Sequence, residues 1–143
     1  MKVSELAEKT GVSADTVRYY TRIGLLVPKI NAQNGYKQFN EQDLKRLLFI
    51  CHARQLGFTL EDIQSILSES DKGSSPCPLV RSVIENRMQE VKAKLDAMTA
   101  LYGRMQQALQ DWAAMPDQSP CGDSICHLIE SEPRKECCHD TQA

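Results

Sequence analysis

No run in this chain approaches the ~18 consecutive apolar residues of a membrane span, and the first ten residues, MKVSELAEKT, carry no apolar stretch of the kind a secretory signal needs. A cytoplasmic protein with no membrane role is therefore expected. Equally absent are a nucleophile with a base partner, a phosphate-cradling glycine loop and a catalytic pair of carboxylates, which argues against an enzyme. Cysteine, by contrast, is present six times. In a reducing compartment that number points away from disulfides and toward metal ligation or thiol chemistry. With 143 residues, 41% hydrophobic and 25% charged, the chain suits one compact domain plus an extension.

The formal net charge of −2 conceals an asymmetry. Residues 1–56 hold nine Lys/Arg against five Asp/Glu, a net of +4, which leaves eight against fourteen, a net of −6, for residues 57–143. A basic first third on an acidic chain suits a nucleic-acid-binding head on a body that stays clear of the nucleic acid.

From Leu79 to Trp112 the sequence reads as one long amphipathic helix. Apolar residues recur at Val80, Ile84, Met88, Val91, Leu95, Met98, Tyr102, Met105, Leu109 and Trp112. After the first step of four, the gaps alternate between four and three, a heptad seam that calls for a partner helix. Within the span only Gly103 weakens the helix, by about 1 kcal/mol relative to Ala. At ~1.5 Å per residue the helix is roughly 50 Å long, too long to bury its stripe against one small domain. A dimerisation helix is the expectation.

Ahead of it, Ser4 and the acidic residue Glu5 suggest a first helix that Gly11 stops, and Ser13 caps a second through Tyr20. Two short helices joined by a glycine-containing turn are the pattern of a helix-turn-helix. Its second helix offers Thr16, Arg18, Tyr19 and Tyr20 for phosphate and base-edge contacts. Asn34-Gly35 predicts a two-residue hairpin, hence a wing, with Tyr36 and Lys37 just beyond the turn. Asn40 opens a third helix ending near Gly57, and Thr59 opens a fourth with Leu60, Ile63, Ile66 and Leu67 on its buried side. The segment from Asp71 to Pro76 reads as a linker.

Taken in this order, Thr16-Val17-Arg18-Tyr19-Tyr20, Gly24-Leu25-Leu26, Asn34-Gly35-Tyr36, Ala53-Arg54-Gln55-Leu56-Gly57-Phe58 and the long helix closely resemble the MerR family of transcriptional regulators, in its heavy-metal-responsive branch. The resemblance extends to about Glu130. It implies a mainly α fold: a winged helix-turn-helix DNA-binding head (1–70), a linker (71–78), a long antiparallel coiled-coil dimerisation helix (79–114) and a C-terminal metal-binding loop and tail (115–143). It also implies a DNA face of Thr16, Arg18, Tyr19, Tyr20, Tyr36 and Lys37, with Arg54 near the DNA backbone. The implied partners are double-stranded promoter DNA, RNA polymerase at that promoter and a second copy of the chain.

Cys77 stands before the long helix, while Cys121, Cys126 and His127 follow it. The nine residues from Trp112 to Cys121 reach at most ~30 Å, so Cys77 and the loop do not meet within one chain. In an antiparallel dimer they meet across the pair. Thiolates with an imidazole suit Zn²⁺, Cd²⁺, Pb²⁺ or Hg²⁺. The resemblance agrees, because copper and gold sensors of the family carry Ser where Cys77 stands. The two loop cysteines are closer together than in the best-known members. Cys51, on an apolar helix face, reads as a small buried hydrophobe, and Cys137-Cys138-His139 as a second metal site or a plain tail. The expected function is metal-responsive activation of metal-resistance or efflux genes. The rivals are a metal-storing or chaperone-like dimer with no DNA role and a regulator of this fold that senses another effector.

Overall fold

The computed structural model describes residues 1–134 and divides into two units, Met1–Glu90 and Val91 onward. No helix among the described residues is long and apolar enough to cross a membrane.

The first unit begins with α1 (Val3–Thr10) and α2 (Ala14–Arg22). The expected cap at Ser4 is not what starts α1: the capping position falls two residues earlier, at Lys2, with no side-chain cap. What holds it is long-range, because the Met1 ammonium donates to the Phe39 carbonyl (2.6 Å) and the Phe39 N–H returns a bond to the Met1 carbonyl (2.7 Å). Gly11 ends α1 at φ +76°, the left-handed conformation that a Cβ disfavours. Ser13 caps α2 as expected, its hydroxyl accepting from the Thr16 N–H at 3.1 Å.

Strands β1 (Lys29–Ile30) and β2 (Lys37–Gln38) pair antiparallel, Lys29 with Gln38 and Ile30 with Lys37. Six residues therefore separate them rather than two. A two-residue type I′ turn needs φ > 0 at both central positions, and among the described residues no non-glycine has a positive φ. Asn34 instead accepts the Tyr36 N–H on its side chain (3.0 Å), an Asx turn, and Gly35 alone turns left-handed at φ +73°.

Helices α3 (Glu41–Gln55) and α4 (Leu60–Asp71) each open on a reciprocal capping box, Asn40 with Asp43 and Thr59 with Asp62. The core beneath them comprises Leu6, Val17, Leu25, Leu26, Leu47, Ile50, Ile63 and Ile66, all fully buried. Each such side chain contributes about 1.5–3 kcal/mol of transfer free energy. Cys51 packs at the edge of this core, and burial pushes its thiol pKa up, in keeping with a structural role.

Helix α5 runs from Cys77 to Trp112, two residues ahead of the expected start. Pro78 falls in its first turn, where proline is tolerated because its missing N–H has no helical acceptor anyway. Leu79, Val80, Val83 and Ile84 lie against the head's core. Val80 and Ile84, placed in the pairing seam by their spacing, thus serve the head. From Met88 to Leu109 the seam residues Met88, Val91, Leu95, Met98, Tyr102, Met105 and Leu109 are 58–69% exposed.

Arg87 fastens α5 to α4. Its Nε and Nη2 donate to both oxygens of Asp62 (2.8 and 2.9 Å), while Nη1 donates to Glu90 (2.8 Å). The same Asp62 carboxylate accepts the Thr59 N–H of the capping box at 2.9 Å. The Arg87 guanidinium holds the Asp62 carboxyl far below its usual range. Because the folded pKa is depressed, this contribution to stability is present above the unfolded value, ~3.9, and is lost as pH falls through the folded one. Arg87→Ala is expected to lower the melting temperature at neutral pH and to flatten its decline below about pH 4. Thermal melts across that window check both effects.

Candidate functional site

The outer face of α2 carries the half-buried Thr16 and the exposed Arg18 and Tyr19. The Thr16 hydroxyl is 2.9 Å from the Ser13 hydroxyl, which fixes its rotamer. Arg18 is exposed and paired through Nη1 with Asp15 at 2.8 Å, leaving its other guanidinium donors outward. Tyr19 is 41% exposed, with the Arg22 guanidinium 5.3 Å from its ring centroid. Tyr20 lies elsewhere: at 9% exposure its ring is part of the core, so its main contribution is to seat α2 rather than to reach outward.

The wing meets this helix. A cleft of about 240 Å³ is lined by Val3, Arg18, Thr21, Gly35, Tyr36 and Lys37, bringing the recognition helix and the wing tip to one opening. Tyr36 is 61% exposed, with the Lys2 ammonium 5.9 Å from its ring centroid. Two cations and an aromatic hydroxyl around a concave opening match a phosphate oxygen and its sugar. Arg54, at the end of α3, is exposed and tethered through Nη1 to the Phe58 carbonyl at 2.9 Å. The sequence reading did not place Arg22 or Lys2 beside these tyrosines. Arg22 was findable, being three residues from Tyr19 and so on the same helical face, whereas the Lys2–Tyr36 approach spans the wing and leaves no local signal.

Cys77 is exposed at the first position of α5, its N–H donating to the Ser75 hydroxyl at 3.3 Å. In the second unit Cys121 is exposed and Cys126 half-buried, and Cys51, Cys77, Cys121 and Cys126 are all free thiols. Cys121 and Ser124 form an isolated antiparallel bridge around Gly122-Asp123, and Cys126 leads into the short α6 (His127–Glu130). The Nε2 of His127 lies 2.9 Å from the Pro116 carbonyl. A carbonyl only accepts, so Nε2 is the donor in this contact, and Nδ1 is the nitrogen left to meet a metal. The Glu130 carboxylate accepts from the Ser124 hydroxyl (2.7 Å) and the Ile125 N–H (2.8 Å), which hold its pKa below the usual carboxylate range.

Soft thiols with an imidazole whose second nitrogen is already tethered fit a soft or borderline divalent cation. Among the described residues of one chain, however, no group of three or more His, Cys, Asp or Glu is gathered as a metal site. Cys137, Cys138 and His139, read from the sequence as a possible second site, lie outside the described residues.

Compared with known proteins, residues 1–70 match the family described as MerR HTH family regulatory protein, and residues 44–120 the one described as MerR, DNA binding. The HTH-type transcriptional regulator ZntR of Escherichia coli strain K12 is 36% identical over 130 residues, covering 90% of this chain and 92% of its own. Among solved structures, the transcription regulator PbrR691 from Ralstonia metallidurans CH34 in complex with lead(II) superposes with a TM-score of 0.73 at 25% identity. That match covers 92% of this chain and 98% of that one. EcmrR in its DNA complex within EcmrR-RPo superposes with a TM-score of 0.64 at 28% identity, covering 80% of this chain and 40% of that one.

Proposed function

The chain belongs to the MerR family of helix-turn-helix regulators and is thus a regulator rather than an enzyme; from that premise we propose that it is a metal-responsive activator that works as a homodimer on promoter DNA. The observation that carries this reading is the placement of free thiols on both sides of an apolar helical seam that one chain leaves uncovered. A second copy running antiparallel covers the seam and sets Cys77 of one protomer beside Cys121, Cys126 and His127 of the other. The ligand set then exists only in the dimer.

Zn²⁺, Cd²⁺, Pb²⁺ or Hg²⁺ is the effector class, and the bound ion supplies one thing: cross-links that favour one dimer conformation over another. The protein's residues do the rest. Arg18, Tyr19, Tyr36 and Lys37 grip phosphates and bases at two half-sites, with Thr16 and Arg54 supporting that face. When the dimer changes shape, the two gripped segments rotate against each other. Each base pair of an overlong promoter spacer displaces its flanking elements by about 35°, and underwinding realigns them for RNA polymerase. The elastic cost, of order 1–6 kcal/mol, is met by contacts made only in the distorted state. Metal-resistance or efflux genes are the fitting targets.

Gel-shift titration with DNA from upstream of the coding sequence tests the reading. Arg18→Ala is expected to weaken binding with and without metal and to lower the slope of log K against log salt by about one phosphate contact. Footprinting with Zn²⁺, Cd²⁺, Pb²⁺ or Hg²⁺ should then reveal hyper-reactive central base pairs only in the metal-bound complex. Absence of any DNA binding, with metal binding intact, would favour the storage or chaperone-like alternative.

A further inference from the structure

The second unit contains a carboxylate, that of Glu130, whose hydrogen-bond partners among the described residues lie in its own loop. Both oxygens of Glu130 are engaged, Oε1 by the Ser124 hydroxyl at 2.7 Å and Oε2 by the Ile125 N–H at 2.8 Å. Ser124 is in turn bonded through its N–H to the Cys121 carbonyl (2.9 Å), and the Glu130 N–H donates to the Cys126 carbonyl (3.0 Å). The bonds form a closed circuit: from Cys121 to Ser124, through the Glu130 carboxylate to Ile125, and from the Glu130 backbone to Cys126. Among the described residues of this loop, the other side-chain tie to the preceding segment is His127 to the Pro116 carbonyl.

We infer that Glu130 is the positioning residue of the metal loop, holding the backbones of Cys121 and Cys126 in one fixed relation before any ion arrives. The inference rests on the proposed metal-sensing role of these cysteines. Its physical sense is preorganisation. A six-residue segment with a glycine at φ +55° samples many arrangements unless tied, and each arrangement that separates the thiols lowers the population competent to bind. Glu130 is itself not a ligand in this assignment, because both of its oxygens already have donors. Its distance in sequence from Cys121 explains why spacing alone gave no hint of the role.

Two substitutions separate hydrogen bonding from charge. Glu130→Gln keeps an acceptor for the Ile125 N–H and a donor for the Ser124 hydroxyl while removing the charge, whereas Glu130→Ala removes both bonds. Purified full-length dimer is titrated with Cd²⁺, and thiolate-to-metal charge-transfer absorbance is read. The fluorescence of Trp112, the chain's single tryptophan, is followed in parallel. Glu130→Ala is expected to weaken Cd²⁺ binding about 10- to 100-fold, the usual effect of removing an outer-sphere partner, while Glu130→Gln stays near wild type. The charge-transfer band of the saturated Glu130→Ala protein should keep its wild-type position, since the ligands are unchanged. Wild-type affinity in Glu130→Ala overturns the inference. So does equal loss in both variants, or a shifted band, either of which makes the carboxylate a ligand or a charge rather than a positioning group. If the wild-type protein itself develops no charge-transfer band, the metal-sensing reading fails first, and that failure is distinguishable from the others.

Discussion

Mixing Cys77→Ser protomers with Cys126→Ser protomers is expected to restore metal binding that neither parent has. If the site spans the dimer, each parent homodimer carries two damaged sites. A heterodimer instead collects both lesions in one site and leaves the other intact. After statistical subunit exchange half of the dimers are mixed, so capacity should recover to roughly one quarter of wild type. The reasoning is geometric: α5 spans 36 residues, about 54 Å of helix, and the nine-residue connection from Trp112 to Cys121 stretches to at most about 30 Å. Cys77 therefore cannot be brought to its own loop while the helix stands. Equilibrium dialysis against Zn²⁺ or Cd²⁺ measures the capacity, with exchange verified by a mass tag on one parent. No recovery despite verified exchange would remove the trans-dimer site. Binding should also weaken as pH falls, because thiolate ligation displaces protons.

Leu95→Asp should dissociate the dimer. Leu95 lies at the middle of α5 and is 58% exposed in one chain, so in an antiparallel pair the two copies face each other near the symmetry axis. Substitution removes two apolar side chains from the seam and buries two like charges, a penalty of several kcal/mol. At 1.4 kcal/mol per factor of ten, dissociation should rise about a thousandfold or more. Sedimentation velocity at micromolar concentration reads this directly, and circular dichroism at the same concentration checks that the first unit, with its own core, remains folded. A variant that still sediments as a dimer would show the seam to be misassigned. The two experiments are linked: if the site is shared, Leu95→Asp should also lose metal binding, although residue 95 touches no ligand.

Much of the fold could be read locally. Ser13, Asn40 and Thr59 each start a helix where their side chains suggested it, because a cap is a contact between residues three apart. The run from Met88 to Leu109 is helical and exposed along its seam, as a heptad repeat with no internal proline requires. The errors have the opposite character. Tyr19 and Tyr20 are chemically equivalent neighbours about 100° apart around α2, and which of them enters the core depends on where α1 and α3 pack. Asn34-Gly35 has the composition of a two-residue hairpin, yet its side chain found a bond to Tyr36 that favours a longer loop. Val80 and Ile84 keep the seam's spacing, but the head's apolar surface reaches them first.

The sequence by itself determined where α2, α3 and α4 begin, which stripe of the long helix is apolar, and that thiols stand toward both ends of that helix, since each follows from residue type at short spacing. Only the tertiary structure decided which groups of the head and loop act together. Examples are Arg87 locked to Asp62 across 25 residues, the ends of α1 and β2 tied between Met1 and Phe39, the Arg18–Tyr36–Lys37 cleft, and Glu130 closed onto the Cys121 turn. In each case the partner's position along the chain is arbitrary. The pairing arises because burial of Leu6, Val17, Leu47, Ile50 and Ile63 fixes the packing of the helices, or because a loop folds back on itself, and neither leaves a periodic trace in the sequence.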